Sequence, residues 1–426
     1  MKNVQFSSGD IGLNLTSPRT MHIDLNSCFA TIEQQANRRW RGRPVAVAAY
    51  DHPNGFILAA SYEAKAMGIT LGCRIKDAQR ICPDIRITLT DPPKYREAHR
   101  RFRAVLLAFT DNVTAKSIDE FVLHLDDSLA IAEGQTMEQI GRAIKQAVYS
   151  GVGEAVNCNV GIGPNRFLAK LAAGLHKPNG LDVIDSTNIE QVFSSLQLVD
   201  LPGINRRYAA RLKLAGIYTP SEFLAADRQL LRGAVFHGIV GHYWWLRLRG
   251  WEIDNAPTKR SQIGHQYSIP AQQRTPAMVR SILLRMSEKT GRRLRAQDLT
   301  ARSIYVGVSY ADHTHWHQSR RTTIALFASN DIFREVMRLF VQAPAGDIRR
   351  LDISVHDFAP ANPEQLSFFD GERVLARNRD LARMADVVNA RYGEFVLHPA
   401  TMLGTGGIAK DAIAFGKLDD IDAEAD

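Results

Sequence analysis

Cysteine is scarce and long apolar runs are missing, and each absence excludes a class of protein. Cys28, Cys73, Cys82 and Cys158 are the only four thiols in 426 residues. They have neither the paired spacing of a zinc site nor the density of a disulfide framework, which fits a reducing cytosol. No stretch approaches the ~18 apolar residues of a membrane span, and the N-terminus lacks the basic-then-apolar plan of a signal peptide. The expectation is a soluble, cytoplasmic chain with no membrane partner. Acid is the minority charge, with 45 Asp and Glu against 53 Lys and Arg, for a net +8. Asp419, Asp420, Asp422, Glu424 and Asp426 make the last eight residues acidic. The body is therefore more basic than the total, which favours an anionic partner. A hydrophobic content of 45% supports real cores, and the length suits about two to four compact units.

Two stretches carry the chemistry. In Lys116-Ser117-Ile118-Asp119-Glu120-Phe121-Val122-Leu123 two neighbouring carboxylates open an apolar run. Phe121, Leu123 and Leu125 alternate with period two, so this is a strand with a buried face. In Met21-His22-Ile23-Asp24-Leu25-Asn26-Ser27-Cys28-Phe29-Ala30, Met21, Ile23 and Leu25 alternate with His22, Asp24 and Asn26, again a strand. An isolated Asp-Glu pair is ordinarily a solvated strand end. If the two strands pair, however, Asp24, Asp119 and Glu120 form a carboxylate cluster suited to hard divalent cations. Such a cluster can hold two metals roughly 3.5–4 Å apart, the clamp used for in-line phosphoryl displacement. Asp119 and Glu120 would point to opposite faces of an ideal strand, so the cluster requires a bend or hairpin tip there.

Other elements fall in order. Residues 1–20 are polar and aperiodic and read as a loose extension, with Met21 an alternative start. A helix over 60–69 sets Tyr62 and Lys65 on one face, where a hydroxyl and an ammonium suit phosphate oxygens or face solvent. A basic helix over 95–112 leads back to the Asp119 strand. Cys158–Ala172 reads as strand, Gly-Pro turn and helix, with Lys170 close enough to the helix N-terminus for both to act on an anion. Beyond a linker, the pattern strand 263–269, helix 276–295, strands 300–311 and 317–327, helix 331–342 and strand 348–358 is a βαββαβ, ferredoxin-like plan. Its first helix carries Arg280, Arg285, Lys289, Arg292, Arg293 and Arg295 against Glu288, a solvated face or a DNA contact.

Asp24-Leu25-Asn26 with Phe29, Tyr62-Glu63-Ala64-Lys65, Ser117-Ile118-Asp119-Glu120, Gly163-Pro164-Asn165-Arg166-Phe167-Leu168-Ala169-Lys170 and Lys177-Pro178-Asn179-Gly180 resemble, in order and spacing, the motifs of Y-family translesion DNA polymerases. The bacterial polymerase IV branch is the nearest likeness, with the Asp-x-Asn first motif of the polymerase V catalytic subunit. The resemblance spans about residues 20 to 370. It implies an α+β, right-hand fold: ferredoxin-like palm (21–28 and 89–177), small fingers (29–88), helical thumb (178–248), linker (249–261), βαββαβ little finger (262–360) and tail (361–426).

It further implies DNA-directed DNA synthesis from dNTP on primer-template DNA, without proofreading, using two Mg²⁺ ions for which Mn²⁺ can substitute. By the same resemblance, Asp24, Asp119, Glu120 and the Leu25 carbonyl are metal ligands, Tyr62, Lys65 and Lys170 hold the triphosphate, and Phe29 is the steric gate. Leu201-Pro202-Gly203-Ile204 and Leu212–Ile217 have the form of a helix-hairpin-helix, with Gly203 at a DNA phosphate and Asn205 taking a left-handed turn position. Arg280 and Arg285 would grip the duplex. Gln365-Leu366-Ser367-Phe368-Phe369 resembles a sliding-clamp-binding motif, exposed apolar residues in a Pro-flanked segment. One more helix lies within 376–403, and the Gly-rich 404–407 and acidic end lack patterning and read as disordered. A monomer is expected.

Three departures stand out: Lys65 in place of an arginine, Ala59 in place of a threonine, and Cys28 in place of an aromatic beside the gate. The rival readings are a catalytically inactive, clamp-recruited polymerase-like DNA-binding protein, which should have lost some of the three carboxylates, and a metal-dependent nuclease, which leaves Phe29 and Lys170 unexplained.

Overall fold

The computed structural model describes residues 11–255, 261–361, 371–403, 406 and 408, with the side chains of 371–376 left aside. The expected clamp motif at 365–369 and the acidic end lie outside the described residues. The chain divides into two compact units that meet in sequence at residues 256–257.

In the first unit the strands are β1 (Thr20–Leu25), β2 (Val45–Ala48), β3 (Ile57–Ala60), β4 (Arg86–Leu89), β5 (Val113–Ala115), β6 (Glu120–His124), β7 (Cys158–Gly163) and β8 (Leu181–Val183). Five of them form one sheet in the order β5-β6-β1-β7-β8, and β3-β2-β4 form a small separate sheet. The central strand β1 runs antiparallel to both neighbours. Met21, Ile23 and Leu25 face a core built with Tyr95, Phe102 and Leu106 of one helix and Ile140, Ile144 and Val148 of another. The helix Arg166–Leu175 packs against β7 and β1. A Cβ at Gly161 would lie 2.1 Å from the Ala169 carbonyl and the Ala173 amide, so only glycine lets that helix lie against the sheet.

Short helices between Ile189 and Leu248 gather around a second core of Phe193, Leu212, Phe223, Phe236 and Trp244. The expected hairpin turn is present in altered form. Gly203 takes the left-handed conformation at φ 93°, whereas Asn205 is extended at φ −83° and caps the helix Arg206–Leu214 by accepting from the Tyr208 amide at 2.9 Å. Asparagine is stabilised more by N-capping than by a left-handed turn.

Two boundaries differ from expectation. Ile11 and Leu13 pack on the second core, the Asn14 side chain donates to the Gly250 carbonyl at 3.0 Å, and the Trp251 indole donates to the Gly12 carbonyl at 2.9 Å. Residues from Ile11 onward are thus a strap rather than a loose extension. The first residues of the expected linker are likewise fixed, because Arg247 and Asp254 form a two-pronged ion pair at 2.9 and 2.6 Å.

The second unit holds β9 (Ile263–Ser268), β10 (Leu299–Tyr310), β11 (His315–Leu326) and β12 (Ile348–Pro360). The helices Pro276–Arg295 and Ser329–Phe340 cover one face, burying Ile304, Val306, Ile353 and Val355. The element order is the expected βαββαβ. The sheet order is β11-β10-β12-β9, so this unit does not repeat the β5-β6-β1-β7 order that the first unit builds from the same succession of elements. Among the described residues no helix is long and apolar enough to cross a membrane.

A chain begun at Met21 loses the strap, and its first unit is expected to be ~2 kcal/mol less stable, a fall of about 4–8 °C in calorimetric melting temperature. An unchanged melting profile would show that the strap contributes nothing.

Candidate active site

The bend required at Asp119 is present. β5 and β6 form a hairpin whose tip is Lys116–Asp119, closed by the Lys116 amide donating to the Glu120 carbonyl at 2.8 Å. Ser117 Oγ accepts from the amides of Asp119 and Glu120 at 3.3 and 3.1 Å and donates to Asp119 Oδ1 at 2.5 Å. His99 Nδ1 donates to the Ile118 carbonyl at 2.8 Å, holding the tip from the helix behind it. Asp24 stands opposite Glu120 in the β1–β6 register, and the Leu25 amide donates to the Asp119 carbonyl at 2.9 Å. Two strand ends thus bring Asp24, Asp119 and Glu120 together.

Their electrostatics show the conflict. Burial pushes Asp119 up to about 6, opposed by its Ser117 hydrogen bond and reinforced by Asp24 and Glu120. Burial also raises Asp24, against the pull of Lys177. For Glu120 burial acts upward, but His22, Lys170 and Lys177 outweigh it and hold the group below its ordinary range. The His22 contribution requires an imidazolium, yet burial drives His22 itself down to about 3, so at neutral pH that contribution is absent and the two lysines supply the compensation.

Lys170 Nζ meets both Glu120 oxygens at 2.8 and 2.6 Å, and Lys177 Nζ pairs with Asp24. Lys170, expected to act with its helix N-terminus on an anion, is paired here with Glu120. That N-terminus is capped by Asn165, which accepts from the Leu168 amide at 2.8 Å, and Glu252 accepts from the Arg166 amide at 2.9 Å. Lys177 is close enough to act electrostatically on both Tyr62 and Lys65. Lys65 Nζ donates to Ser27 Oγ at 2.7 Å and lies 4.5 Å from the centre of the Tyr62 ring. Burial lowers Lys65, with Lys177 adding to the effect and Asp24 opposing it. Burial raises Tyr62, with Lys177 opposing. Sequence reasoning left Lys177 without a role, although it begins the Lys-Pro-Asn-Gly turn.

Among the described residues no three His, Cys, Asp or Glu side chains already converge on one point to hold a metal ion. The donor set nevertheless fits one: every ligand atom is an oxygen, from three carboxylates and the Leu25 carbonyl, the carboxylates repel each other, and ammonium groups already sit against two of them.

Phe29 follows Ser27, whose φ of 51° turns the chain into the helix Cys28–Ala36. Its ring is fully buried and stacks on Tyr95 at 4.3 Å; the Tyr95 hydroxyl donates to Glu33 at 2.9 Å. Cys28 is buried beside the site, and burial, Asp119 and Asp24 all push its thiol up. In the second unit the expected basic grip is half covered. Arg280 is exposed, but Arg285 is 6% exposed, with its guanidinium 4.5 Å from the Phe395 ring. Arg295 forms a two-pronged pair with Asp386 at 2.5 and 2.8 Å. The chain's own 371–403 segment packs on that side of the helix, so Arg285 is a packing partner in this structure. The polar rows on the open sheet face, Arg321–Ser303–His356 and Ser319–Tyr305–Ser354, were not singled out from sequence; the alternation along β10 was the available signal.

Asp119 is protonated more readily folded than unfolded, so stability falls as pH rises from about 4 to about 6 and is level above. In metal-free protein the native chain is expected to lose up to ~3 kcal/mol across that window relative to Asp119→Asn, by denaturant titration. Parallel curves would contradict the burial argument.

The model for the impB/mucB/samB family matches residues 23–174, and the model for its C-terminal domain matches residues 260–368. The DNA polymerase IV of Moorella thermoacetica is 31% identical over 399 residues, covering 90% of this chain and 96% of that protein. The DNA polymerase IV of Bacillus anthracis is 27% identical, covering 90% and 93%. Among solved structures, a Dbh–Dpo4 chimera of Y-family DNA polymerases superposes with a TM-score of 0.67 at 23% identity, covering 79% of this chain and 98% of the chimera. An insertion ternary complex of Dbh DNA polymerase gives 0.56 at 22%, covering 80% and 99%. The shared domain models, the near full-length match and the common right-hand fold together establish that the chain belongs to the impB/mucB/samB family and is a Y-family translesion DNA polymerase of the polymerase IV type.

Proposed function

We propose that nucleotidyl transfer takes place where β1 and β6 end, and the observation that carries this is the meeting of Asp24, Asp119 and Glu120 beside Tyr62, Lys65 and Lys177. Asp24, Asp119 and Glu120, with the Leu25 carbonyl, would hold two Mg²⁺ ions, or Mn²⁺ in their place. Bound there, divalent cations supply charge neutralisation for the attack of a primer 3′-hydroxyl on the α-phosphate and for pyrophosphate departure. The residues of the chain do the rest. The Tyr62 hydroxyl and the Lys65 ammonium face the same space and can hold phosphate oxygens, Lys65 as a point charge rather than a two-pronged guanidinium. Lys170 and Lys177, paired with Glu120 and Asp24, can exchange those carboxylates for phosphate oxygens when divalent cations bind the acids. Phe29, braced by Tyr95, would exclude a ribose 2′-hydroxyl.

Gly203 in the first unit, and Arg280 and the open sheet face in the second, would each contribute contacts to primer-template DNA. Residues 365–369 would bind a sliding clamp. The chain would act as a cytoplasmic monomer. The inactive-accessory reading draws no support, since all three carboxylates are present and adjacent.

Primer extension with Mg²⁺ on undamaged and abasic templates tests the assignment. The native chain is expected to extend, Asp119→Ala/Glu120→Ala to lose at least ~10³-fold in rate, and Phe29→Ala to admit ribonucleotides at least ~10-fold more readily. Primer-template binding without extension would overturn the enzyme reading, and unchanged sugar selection would overturn the gate. In the same assay, deletion of 365–369 should abolish stimulation by a sliding clamp while basal extension persists; retained stimulation would exclude that segment.

A further inference from the structure

Two buried side-chain amides lie between the strand that carries Asp24 and the turn that carries Lys177. Asn26 is 3% exposed and Asn159 is fully buried. Asn26 Nδ2 donates to Asn159 Oδ1 at 2.8 Å, and Asn159 Nδ2 donates to the His176 carbonyl at 3.1 Å. Asn26 Oδ1 accepts from the Asn179 amide at 2.8 Å. The directions are fixed by chemistry: turning the Asn159 amide over would set its oxygen against the His176 carbonyl, and turning Asn26 over would set its NH₂ against the Asn179 N–H. The anchored groups are the residue before Lys177 and the second residue after it. A Cβ at Gly180 would lie 2.2 Å from the His176 carbonyl and 3.0 Å from Asn159 Nδ2, so the turn closes tightly over the pair.

We infer that Asn26 and Asn159 are positioning residues that aim Lys177 at the incoming triphosphate, and that this relay requires an amide, not a carboxylate, at position 26. The inference rests on the reading of Lys177 as a triphosphate ligand. An aspartate at 26 would keep the acceptor for the Asn179 amide but lose the donor for Asn159. That leaves two oxygens opposed in a buried site, where an unmade hydrogen bond is costly. It also places a second negative charge two residues from Asp24, where it competes for the Lys177 ammonium. A relay that merely stabilised the fold would, when broken, lower melting temperature and DNA binding together. A relay that aims Lys177 acts on nucleotide binding through that one side chain.

The experiment is single-nucleotide incorporation by the full-length chain on primer-template DNA with Mg²⁺, comparing native protein, Asn159→Leu, Asn26→Asp, Lys177→Ala and Asn159→Leu/Lys177→Ala. Melting temperature and primer-template affinity are measured alongside. Lys177→Ala is expected to raise KM for dNTP by ~10-fold or more. Asn159→Leu and Asn26→Asp should raise it ~5–10-fold with DNA affinity unchanged, and the double variant should be no worse than Lys177→Ala alone, because the amides act through Lys177. If Asn159→Leu does not fold, Asn159→Ser in the same cycle decides the matter. A native KM in the Asn159 and Asn26 variants alongside a raised KM in Lys177→Ala overturns the relay and spares the lysine, as does a double variant whose effects multiply. A native KM in Lys177→Ala overturns the reading of the lysine, and the relay with it.

Discussion

Carboxylate repulsion at the paired ends of β1 and β6 is the constraint on which the first unit depends. Asp24 and Glu120 sit opposite each other in the register, Asp119 lies at the hairpin tip beside them, and burial opposes charge on all three. Such a cluster persists only with compensating cations. Lys170 answers Glu120 and Lys177 answers Asp24, while among the described residues Asp119 has no ammonium partner, only the Ser117 hydroxyl and a backbone hydrogen bond, and accordingly is the carboxylate pushed up to about 6.

The fold serves that arrangement. β1 is central and antiparallel on both sides, so its end is held by β6 and by β7 at once. Glycine at 161 brings the helix Arg166–Leu175 against the sheet, which carries Lys170 to Glu120. The turn after that helix delivers Lys177, and β3 of the small sheet leads directly into the short helix that bears Tyr62 and Lys65. Cations thus approach the acidic edge from two helices and a turn.

Much of this was legible because it is local. Period-two alternation located β1 and β6, and the adjacency of Asp119 and Glu120 itself demanded a bend, since a straight strand would part them. The βαββαβ element order of the second unit was likewise plain from periodicity. What sequence could not supply was partner choice across space. Lys170 and Lys177 are both lysines near the same helix, and only the close approach at Gly161 sends the first to Glu120 and leaves the second for Asp24. Arg285 reads as a DNA contact by charge, but Phe395, over a hundred residues later, covers it. Asn205 suits either a left-handed turn or an N-cap, and the helix that follows decides for the cap. Ile11 and Leu13 show no period because they fill gaps in a distant core and build no element of their own.

The most direct measurement of the central claim is Mn²⁺ binding to the nucleotide-free chain by electron paramagnetic resonance, comparing native protein, Asp24→Ala, Asp119→Asn and Lys177→Met. If the carboxylate edge is the cation site and Lys177 competes for it, Asp24→Ala and Asp119→Asn bind at least ~10-fold more weakly and Lys177→Met binds more tightly than native. Equal affinity across all four proteins would contradict the account, because Mn²⁺ would then bind elsewhere and the meeting of three carboxylates would have no cation to explain it.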